Sequence, residues 1–320
     1  MHYNTRLTAA YYIIKKKGEP FLRMSPVYVI LIILAAFILL TLIWCLAEPF
    51  FLDFDRVQLT PSPSRDATSD ELSIKKLSLL NKDINKEPDL RIFFFSDVHA
   101  EFCAISSKRI CNALTEAQKS SPIDAVIFGG DIANDPDKCA VGYRYLNKIS
   151  EWCKGYDIPF YGITGNHDIT LKGASEAAGF TSLDNRAVDL TSRTTGSKIV
   201  LAGVSDSGRL NRVWKQMPLK RGSEPVILAA HNPDNLLHLD KDNRPDFMLS
   251  GHFHGGQMKL PFRFEHRFLR TKDLLPKKKV VEGAFDINGT TVFISRGLGC
   301  GVLPFRLFSA PEASVVEIYI

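Results

Sequence analysis

Five short segments, spread widely along the chain, carry the aspartate, asparagine and histidine side chains that metal ions bind. They hold five of the eight histidines, so imidazole is concentrated in a few places. The segments are Asp97-Val98-His99, Gly130-Asp131, Gly165-Asn166-His167-Asp168, His231 and Gly251-His252-Phe253-His254. Oxygen and imidazole donors without thiolate suit hard or borderline divalent cations such as Mn, Fe, Zn or Mg. The pattern therefore indicates metal-assisted hydrolysis, and phosphate esters are the substrates that two-metal sites commonly cleave.

The spacing within these segments suits two neighbouring ions. Residues i and i+2 of an extended chain point the same way, so Asp97 and His99 can reach one ion, and His252 and His254 share one face. Glycines before Asp131 let the backbone turn sharply there. A carboxylate has two oxygens and can bridge two cations held about 3.5–4 Å apart. We therefore expect Asp131 to lie between the two ions.

Each segment taken alone also has an ordinary structural interpretation. Asp97 could be a strand-end acid, Asn166 could cap a helix, and His231 could be a hydrogen-bonded histidine of the core. All five segments in this order are very improbable by chance, so the joint pattern favours the metal site. Within the third segment Asn166 would be a ligand, while His167 would face the substrate and Asp168 would orient it.

The elements that must position these residues alternate between strand and helix from residue 90 onward. The apolar patterns predict helices over 104–119 and 138–152 and, at first, strands over 91–95, 124–128 and 158–163. Later strand candidates are 198–204, 225–230, 246–249, 291–294 and 314–319. Alternation followed mostly by strands predicts an α/β fold of layered sheets covered by helices, with the catalytic domain over 89–320.

An apolar segment precedes this domain. Residues 27–47 contain no charged side chain, and about 20 apolar residues suffice to span a bilayer. We interpret them as a single-pass transmembrane helix after a basic arm, 1–26. The alternative, a buried core helix, is rarely apolar on every face over such a length. Residues 48–88 are expected to be a juxtamembrane segment with edge strands over 54–59 and 72–79.

Charge and cysteine content give opposite indications about the side of the membrane. Basic residues before the span outnumber those just after it, which favours a cytoplasmic N-terminus and an exported domain. Outside the span an odd number of scattered cysteines is more typical of reduced thiols than of disulfides. The net charge of +5 is mild and its residues are scattered, so we expect no nucleic-acid partner. Nothing in the sequence specifies an oligomeric state.

The ordered set of segments resembles the calcineurin-like metallophosphoesterase superfamily over residues 50–320. The resemblance implies a four-layer αββα sandwich and two divalent ions, Mn²⁺ first among the candidates Mn, Fe, Zn and Mg. One ion would be held by Asp97, His99, Asp131 and His254, and the other by Asp131, Asn166, His231 and His252. His167, supported by Asp168, would protonate the leaving oxygen or steady the phosphoryl group.

A narrower resemblance is carried by residues 250–257, 295–299 and 303–312, which are similar to a subgroup of membrane-associated or exported bacterial phosphoesterases. That subgroup usually has Thr or Ser where Phe253 stands. One branch with an N-terminal anchor hydrolyses UDP-2,3-diacylglucosamine to lipid X and UMP in lipid A biosynthesis. The resemblance implies this pyrophosphatase activity, a phospholipid membrane and a nucleotide-linked glycolipid as partners, and Arg296 and Arg306 as substrate-binding residues.

Two alternatives to that substrate remain open. The chain could be a broader phosphodiesterase or phosphatase acting on envelope components or nucleotides, or an inactive metal-binding scaffold at the membrane. A UDP-linked lipid is a cytoplasmic substrate, so the pyrophosphatase hypothesis places the domain on the cytoplasmic face of the inner membrane. The broader phosphodiesterase hypothesis allows the domain to be exported. Aromatic and basic residues mixed over 260–270 and 305–308 suit an anionic lipid surface, or simply pack on the core.

Overall fold

The computed structural model describes residues 25–64, 72–81, 84, 86–206, 223–240, 243–261, 264, 265 and 272–320. Residues 1–24 of the basic arm and most of the aromatic and basic segment over 260–270 lie outside the described residues. Contacts divide the chain into two units, one that ends at Trp44 and a second over Cys45–Ile320. The metal-binding segments all belong to the second unit.

The first described element is the helix α1, Pro26–Ala47. In the described part of the chain it alone is long and apolar enough to cross a membrane, with a mean hydropathy of 3.2 over its most apolar stretch. Only 6% of that stretch is buried, whereas a core helix of a soluble protein would be mostly buried. The helix is consistent with a membrane anchor.

The second unit contains two β-sheets with helices between their strands. The helices are α2 (Ser107–Ser120), α3 (Cys139–Gly155) and α4 (Ala174–Ala178). The strands are β1 (Asp53–Leu59), β2 (Ile74–Lys76), β3 (Leu90–Phe95), β4 (Ala125–Phe128), β5 (Phe160–Gly162), β6 (Thr181–Ser182), β7 (Arg186–Thr191), β8 (Lys198–Val204), β9 (Val226–Ala230), β10 (Phe247–Ser250), β11 (Gly283–Ile287), β12 (Thr290–Ile294) and β13 (Glu312–Ile318).

Parallel strands form the centre of both sheets. The first sheet has the order β1-β13-β3-β4-β5-β6, and β3, β4, β5 and β6 run parallel. The second has the order β2-β11-β12-β10-β9-β8-β7, with β12, β10, β9 and β8 parallel. Side chains that follow the carboxyl ends of parallel neighbours meet at one edge of a sheet, which is where ligands bind in such folds.

Three apolar layers hold the sheets and helices together. Residues of α2 and α3, such as Leu114 and Leu146, pack on one face of the first sheet. Phe94 and Phe293 meet between the two sheets, with ring centroids 6.2 Å apart. A third cluster, which includes Met248, covers the outer face of the second sheet. This layering confirms the predicted α/β class of stacked sheets covered by helices.

Two details differ from the expectation and one agrees with it. The described residues over the outer face of the second sheet form short 3₁₀ turns, Pro233–His238 and Pro276–Lys278, each started by a proline and each too short for an α-helix. The edge strands expected within residues 48–88 are confirmed, because β1 pairs with β13 and β2 pairs with β11 at the edges of the two sheets. The strands β6, β7 and β11 were not among the predicted strands.

A buried carboxylate, Glu317, links the strands of the first sheet. Its side chain is 1% exposed and accepts hydrogen bonds from Arg91 Nη2 at 2.6 Å and Arg56 Nε at 2.7 Å. Burial raises the pKa of Glu317, but these hydrogen bonds outweigh burial and hold that pKa below its usual value. Stabilisation from this group is therefore present above the unfolded pKa of about 4.3 and is lost as the pH falls through the folded pKa.

We expect Glu317→Gln to lower the free energy of unfolding at pH 7 by about 3 kcal/mol, because it leaves a largely buried arginine without its counter-charge. The difference from the parent should shrink below about pH 4. Urea unfolding of the detergent-solubilised protein at both pH values measures it. Glu116→Gln, which removes an ion pair to Lys119 with both side chains more than 60% exposed, should cost less than about 1 kcal/mol. Equal losses in the two variants would contradict the buried pair.

Candidate metal centre

Strand ends from both sheets bring the predicted ligands to one place. Asp97 and His99 follow β3, and Asp131 follows β4 in the same sheet. His231 follows β9, while His252 and His254 follow β10 in the facing sheet. Except for His252, which is partly exposed, all these ligands are buried. Side chains far apart in the sequence are therefore gathered between the two sheets.

Two groups of ligand atoms lie within ion-binding reach of one another. Asp97, His99 and His254 form the first, and Asp131, His231 and His252 form the second. In the first group His254 Nε2 lies 3.3 Å from Asp97 Oδ1, and the rings of His99 and His254 stack with centroids 5.0 Å apart.

The second group is equally close. His231 Nε2 lies 3.1 Å from Asp131 Oδ2 and 3.2 Å from His252 Nδ1. The other ring nitrogen of His231, Nδ1, lies 2.8 Å from the carbonyl oxygen of Gly129. A carbonyl only accepts, so Nδ1 carries the hydrogen and Nε2 presents a lone pair to the site.

Asp131 connects the two groups. Its Oδ2 lies 3.4 Å from His99 Nε2 of the first group as well as 3.1 Å from His231 Nε2 of the second. Its other oxygen, Oδ1, accepts a hydrogen bond of 3.0 Å from the backbone N–H of His167. A carboxylate between two ligand groups is the position expected of a bridging ligand.

The backbone is left-handed at five of these ligands. The φ angles are 51° at Asp97, 38° at His99, 62° at Asp131, 70° at His252 and 52° at His254. Such values are uncommon for residues other than glycine and each costs about 1–3 kcal/mol. Unfavourable conformations concentrated at one set of side chains are a feature of functional sites.

Two glycines allow the strand-end loops to approach these carboxylates. A Cβ atom at Gly165 would collide with Asp131 Oδ1, and one at Gly251 would collide with Asp97 Oδ2. The same close approach lets the backbone N–H of His252 donate to the Asp97 carboxylate at 3.1 Å. Glycine is therefore required at both positions by space.

The electrostatics of the buried residues fit a pair of cations. His99 is fully buried, yet neither of its ring nitrogens has a hydrogen-bond partner among the described residues. Burial alone would raise the pKa of Asp131 and lower the pKa of His231. The charges nearby outweigh burial, because His231 holds the pKa of Asp131 below its usual value, and Asp131 and Asp97 raise the pKa of His231. The carboxylates thus draw positive charge into a buried site, which is what a divalent ion supplies.

Comparison with known proteins identifies the family. The sequence matches the calcineurin-like phosphoesterase family over residues 90–256. The chain belongs to that family. It is 32% identical to the uncharacterized metallophosphoesterase YkuE of Bacillus subtilis over 71% of this chain and 78% of that protein. It is 28% identical to the phosphodiesterase YaeI of Escherichia coli over 71% of this chain and 82% of that protein.

A shorter match concerns a named lipid enzyme. Over 96 residues the chain is 34% identical to the UDP-2,3-diacylglucosamine pyrophosphatase LpxG of Chlamydia muridarum, which is 29% of this chain and 29% of that protein. Family membership and the two ligand groups together make this chain a metal-dependent phosphoester hydrolase.

The metallophosphoesterase site opens into a cavity of about 460 Å³. Its lining includes metal-group side chains together with Asn166 and His167, the polar side chains of Gln257 and Glu265, and five apolar side chains. The apolar residues are Phe253, Met258, Leu260, Val302 and Leu303. Phe253 is fully buried, so its departure from the usual Thr or Ser adds apolar volume beneath the site.

The structure corrects the expected relation between His167 and Asp168. The Asp168 carboxylate is buried and accepts from the backbone N–H groups of Asp131, Ile132 and Gly165, at 2.7, 2.9 and 3.0 Å. The His167 ring is instead held through Nδ1, 3.0 Å from the carbonyl oxygen of Asn134. Asp168 therefore holds the loops that carry the ligands, and it does not orient the imidazole.

The two arginines predicted to bind substrate are placed elsewhere. Arg306 is fully buried and donates to the carbonyl oxygens of Ser309, Arg296, Gly297 and Gly299. Its role is to hold the loop after β12, and no part of it reaches the cavity. The guanidinium group of Arg296 faces carboxylates, with Asp53 at 2.8 Å, Asp55 at 3.5 Å and Glu312 at 3.6 Å.

Sequence reasoning missed the residues that position His167. Asn134 supplies the carbonyl that holds the imidazole, and its own N–H donates to Glu101 at 3.0 Å. Glu101 also accepts from the N–H of Asp135 at 2.9 Å. Both positions lie within three residues of a ligand, Glu101 after His99 and Asn134 after Asp131, and that proximity was the available signal.

Proposed function

We propose that this chain is a membrane-anchored two-metal pyrophosphatase of a nucleotide-linked glycolipid, UDP-2,3-diacylglucosamine, which it hydrolyses to 2,3-diacylglucosamine 1-phosphate (lipid X) and UMP. The observation that carries the proposal is the cavity, which is lined both by the metal groups and by apolar side chains that include Met258, Leu260 and Leu303. The metal groups would bind a diphosphate, and the apolar side chains would contact acyl chains. The apolar helix α1 and the partial similarity to LpxG support the same substrate class.

The ligand groups divide the work at the reacting phosphorus. Asp97, His99 and His254 would hold one ion, His231, His252 and Asn166 would hold the other, and Asp131 would serve both. When bound, the ions provide a nucleophile at neutral pH and polarise the phosphoryl oxygens. Mn²⁺ is the ion we propose.

His167 is placed to act on the leaving group. It lines the cavity, and its ring lies edge-on to His99 with centroids 5.1 Å apart. The bond from Nδ1 to Asn134 fixes the ring and leaves Nε2 directed away from that loop. When the ring is protonated, Nε2–H can donate its proton to the oxygen that leaves phosphorus.

We expect His167→Ala to lower kcat by roughly 10²–10⁴-fold, the usual contribution of a general acid. Metal content measured by elemental analysis should stay at the parental value, because His167 belongs to neither ligand group. Asn235→Ala, a change of a partly buried polar residue outside the ligand groups, serves as the control and should leave kcat at the parental value. Loss of metal from His167→Ala would assign that histidine to the ligands instead.

The substrate is tested with the purified full-length protein in detergent with Mn²⁺. We would compare kcat/KM for UDP-2,3-diacylglucosamine with that for a chromogenic phosphodiester, and identify the nucleotide released. A strong preference for the lipid with release of UMP is the expected result. Turnover of the generic ester alone would favour the broader phosphodiesterase. The longer match to the phosphodiesterase YaeI supports that alternative. Failure to hydrolyse either would favour the inactive scaffold.

The membrane side follows from the substrate. A UDP-linked lipid is made and used in the cytoplasm, so we propose that the catalytic unit lies on the cytoplasmic face of the inner membrane. A reporter fused after Ile320 should therefore be active only as a cytoplasmic fusion. Export of that reporter would contradict the UDP-lipid substrate and leave the phosphoester hydrolase activity intact.

A further inference from the structure

Two stretches of the second unit expose large apolar side chains, and one of these stretches lines part of the cavity. Phe50 is 60% exposed, Val302 78% and Phe308 67%, and Phe51 and Leu303 are about half exposed. Val302, Leu303 and Phe308 belong to one loop between β12 and β13, whereas Phe50 and Phe51 directly follow the apolar helix in the sequence. We call these five residues the apolar rim.

The loop keeps apolar side chains where the backbone disfavours them. Val302 has φ 63° and Phe308 has φ 56°. Left-handed backbone angles are rare for a β-branched residue such as Val302 and unfavourable for a bulky one such as Phe308, whereas asparagine tolerates them. Neither position is required by the core, because both side chains point out of it. A surface that contacts something apolar explains these residue types.

Hydrogen bonds join the two parts of the rim. The carboxylate of Glu48, which is buried, accepts from the backbone N–H groups of Phe308, at 2.7 Å, and of Ser309. The backbone N–H of Arg306 donates to the carbonyl oxygen of Cys45 at 3.1 Å. The loop is thus fixed to the residues at which the chain continues from the apolar helix.

The same loop forms part of the cavity and contacts the metal ligands. Gly301, Val302 and Leu303 line the cavity. Ser309 Oγ donates to the carbonyl oxygen of His254 at 2.7 Å, and Gln257 Nε2 donates to the carbonyl of Leu303 at 3.0 Å. The rim and the mouth of the cavity are therefore one structure.

We propose that the apolar rim is seated in the interfacial region of the bilayer, so that the cavity receives lipid directly from the membrane. A helix that spans the bilayer ends at its surface, and the loop of the rim is bonded to Cys45, in the last turn of the helix, and to Glu48, directly after it. Aromatic and aliphatic side chains at that depth are favourable. Arg109, which is exposed and donates to the carbonyl oxygen of Phe50 at 2.6 Å, supplies a positive charge for anionic headgroups.

This inference rests on the proposed function only for the lipid nature of the substrate, and its first test is independent of activity. The full-length variants Phe308→Trp and Val141→Trp would be reconstituted in vesicles with and without brominated phospholipid. Val141 is an exposed apolar residue on α3. We expect bromine to quench the added fluorescence of Phe308→Trp and not that of Val141→Trp. Equal quenching in the two variants would overturn the proposal. Absence of quenching in Phe308→Trp would also overturn it and would favour a rim covered by a second copy of the chain.

The second test asks whether the rim delivers lipid. The double variant Phe50→Ser with Phe308→Asn removes two apolar side chains that do not line the cavity, and asparagine suits the backbone at position 308. We expect its rate on vesicle-borne lipid substrate to fall by about tenfold, a difference of about 1.4 kcal/mol. Hydrolysis of a soluble phosphodiester should be unchanged, as should both rates in Val141→Ser.

The two tests separate the rim from the substrate. An unchanged rate on vesicle-borne lipid in the double variant would overturn the role of the rim in delivery. If the parent protein hydrolyses only the soluble ester while bromine still quenches Phe308→Trp, the rim is confirmed and the glycolipid substrate is wrong.

Discussion

Asp131→Asn is expected to lower turnover by about 10³-fold or more, because it removes the negative charge shared by the two ligand groups. Asp131 Oδ2 lies 3.4 Å from His99 Nε2 and 3.1 Å from His231 Nε2. Asparagine keeps an oxygen that can accept from the N–H of His167, so the loop should stay in place. Elemental analysis should find the metal content reduced from two ions to one or none per chain.

A matched control separates the effect of position from the effect of charge. Asp137→Asn makes the same change at an exposed carboxylate on the adjacent 3₁₀ turn and should leave turnover and metal content at parental values. Thermal unfolding of the metal-free Asp131→Asn protein should resemble that of the metal-free parent. Full activity in Asp131→Asn would eliminate a two-metal mechanism that uses this carboxylate.

The convergence of the ligands could be predicted because it follows from strand direction. Asp97, Asp131 and Asn166 each stand just after a strand of a parallel set, and His231 and His252 do so in a second set. Parallel strands align their carboxyl ends, so local sequence patterns were enough to place these side chains at shared edges. Local patterns do not show that the two edges face each other, because this depends on how the sheets stack. The family resemblance predicted that stacking.

The roles of Arg296 and Arg306 could not be predicted from local sequence. An arginine beside a glycine-rich loop near a phosphate site is equally suited to bind an anion or to hold the loop. Asp53, the nearest carboxylate to Arg296, is 243 positions away in the sequence and comes into reach only through the pairing of β1 with β13. Arg306 is committed by four backbone carbonyls, which no pattern of side chains reveals.

The hydrogen-bond partners of Asp168 could not be predicted from local sequence either. Its neighbour His167 suggested a catalytic pair, and a partner one residue away is the simplest one to infer from sequence. Two of its three hydrogen-bond donors, the N–H groups of Asp131 and Ile132, lie 37 and 36 positions away. They meet Asp168 because β4 and β5 are parallel neighbours whose following loops lie side by side.

We therefore expect Asp168→Ala to act mainly on stability. The side chain is 1% exposed, and its removal leaves three buried N–H groups without an acceptor, at about 1–3 kcal/mol each. The loss should be roughly 3–6 kcal/mol, which lowers Tm by roughly 10 °C or more for a unit of this size. Asp168→Asn keeps one acceptor oxygen and should fall between the parent and the alanine variant.

The same variants distinguish a loop support from a catalytic partner. If Asp168 only holds the ligand-bearing loops, activity and metal binding at low temperature should decline together with Tm, and the pH profile of kcat should keep its shape. If Asp168 instead acts directly in the reaction, Asp168→Asn should have a parental Tm and a lowered kcat. The three hydrogen bonds of Asp168 favour a support of the loops. Their donors are the backbone N–H groups of Asp131, Ile132 and Gly165, which belong to the two loops that carry Asp131 and His167.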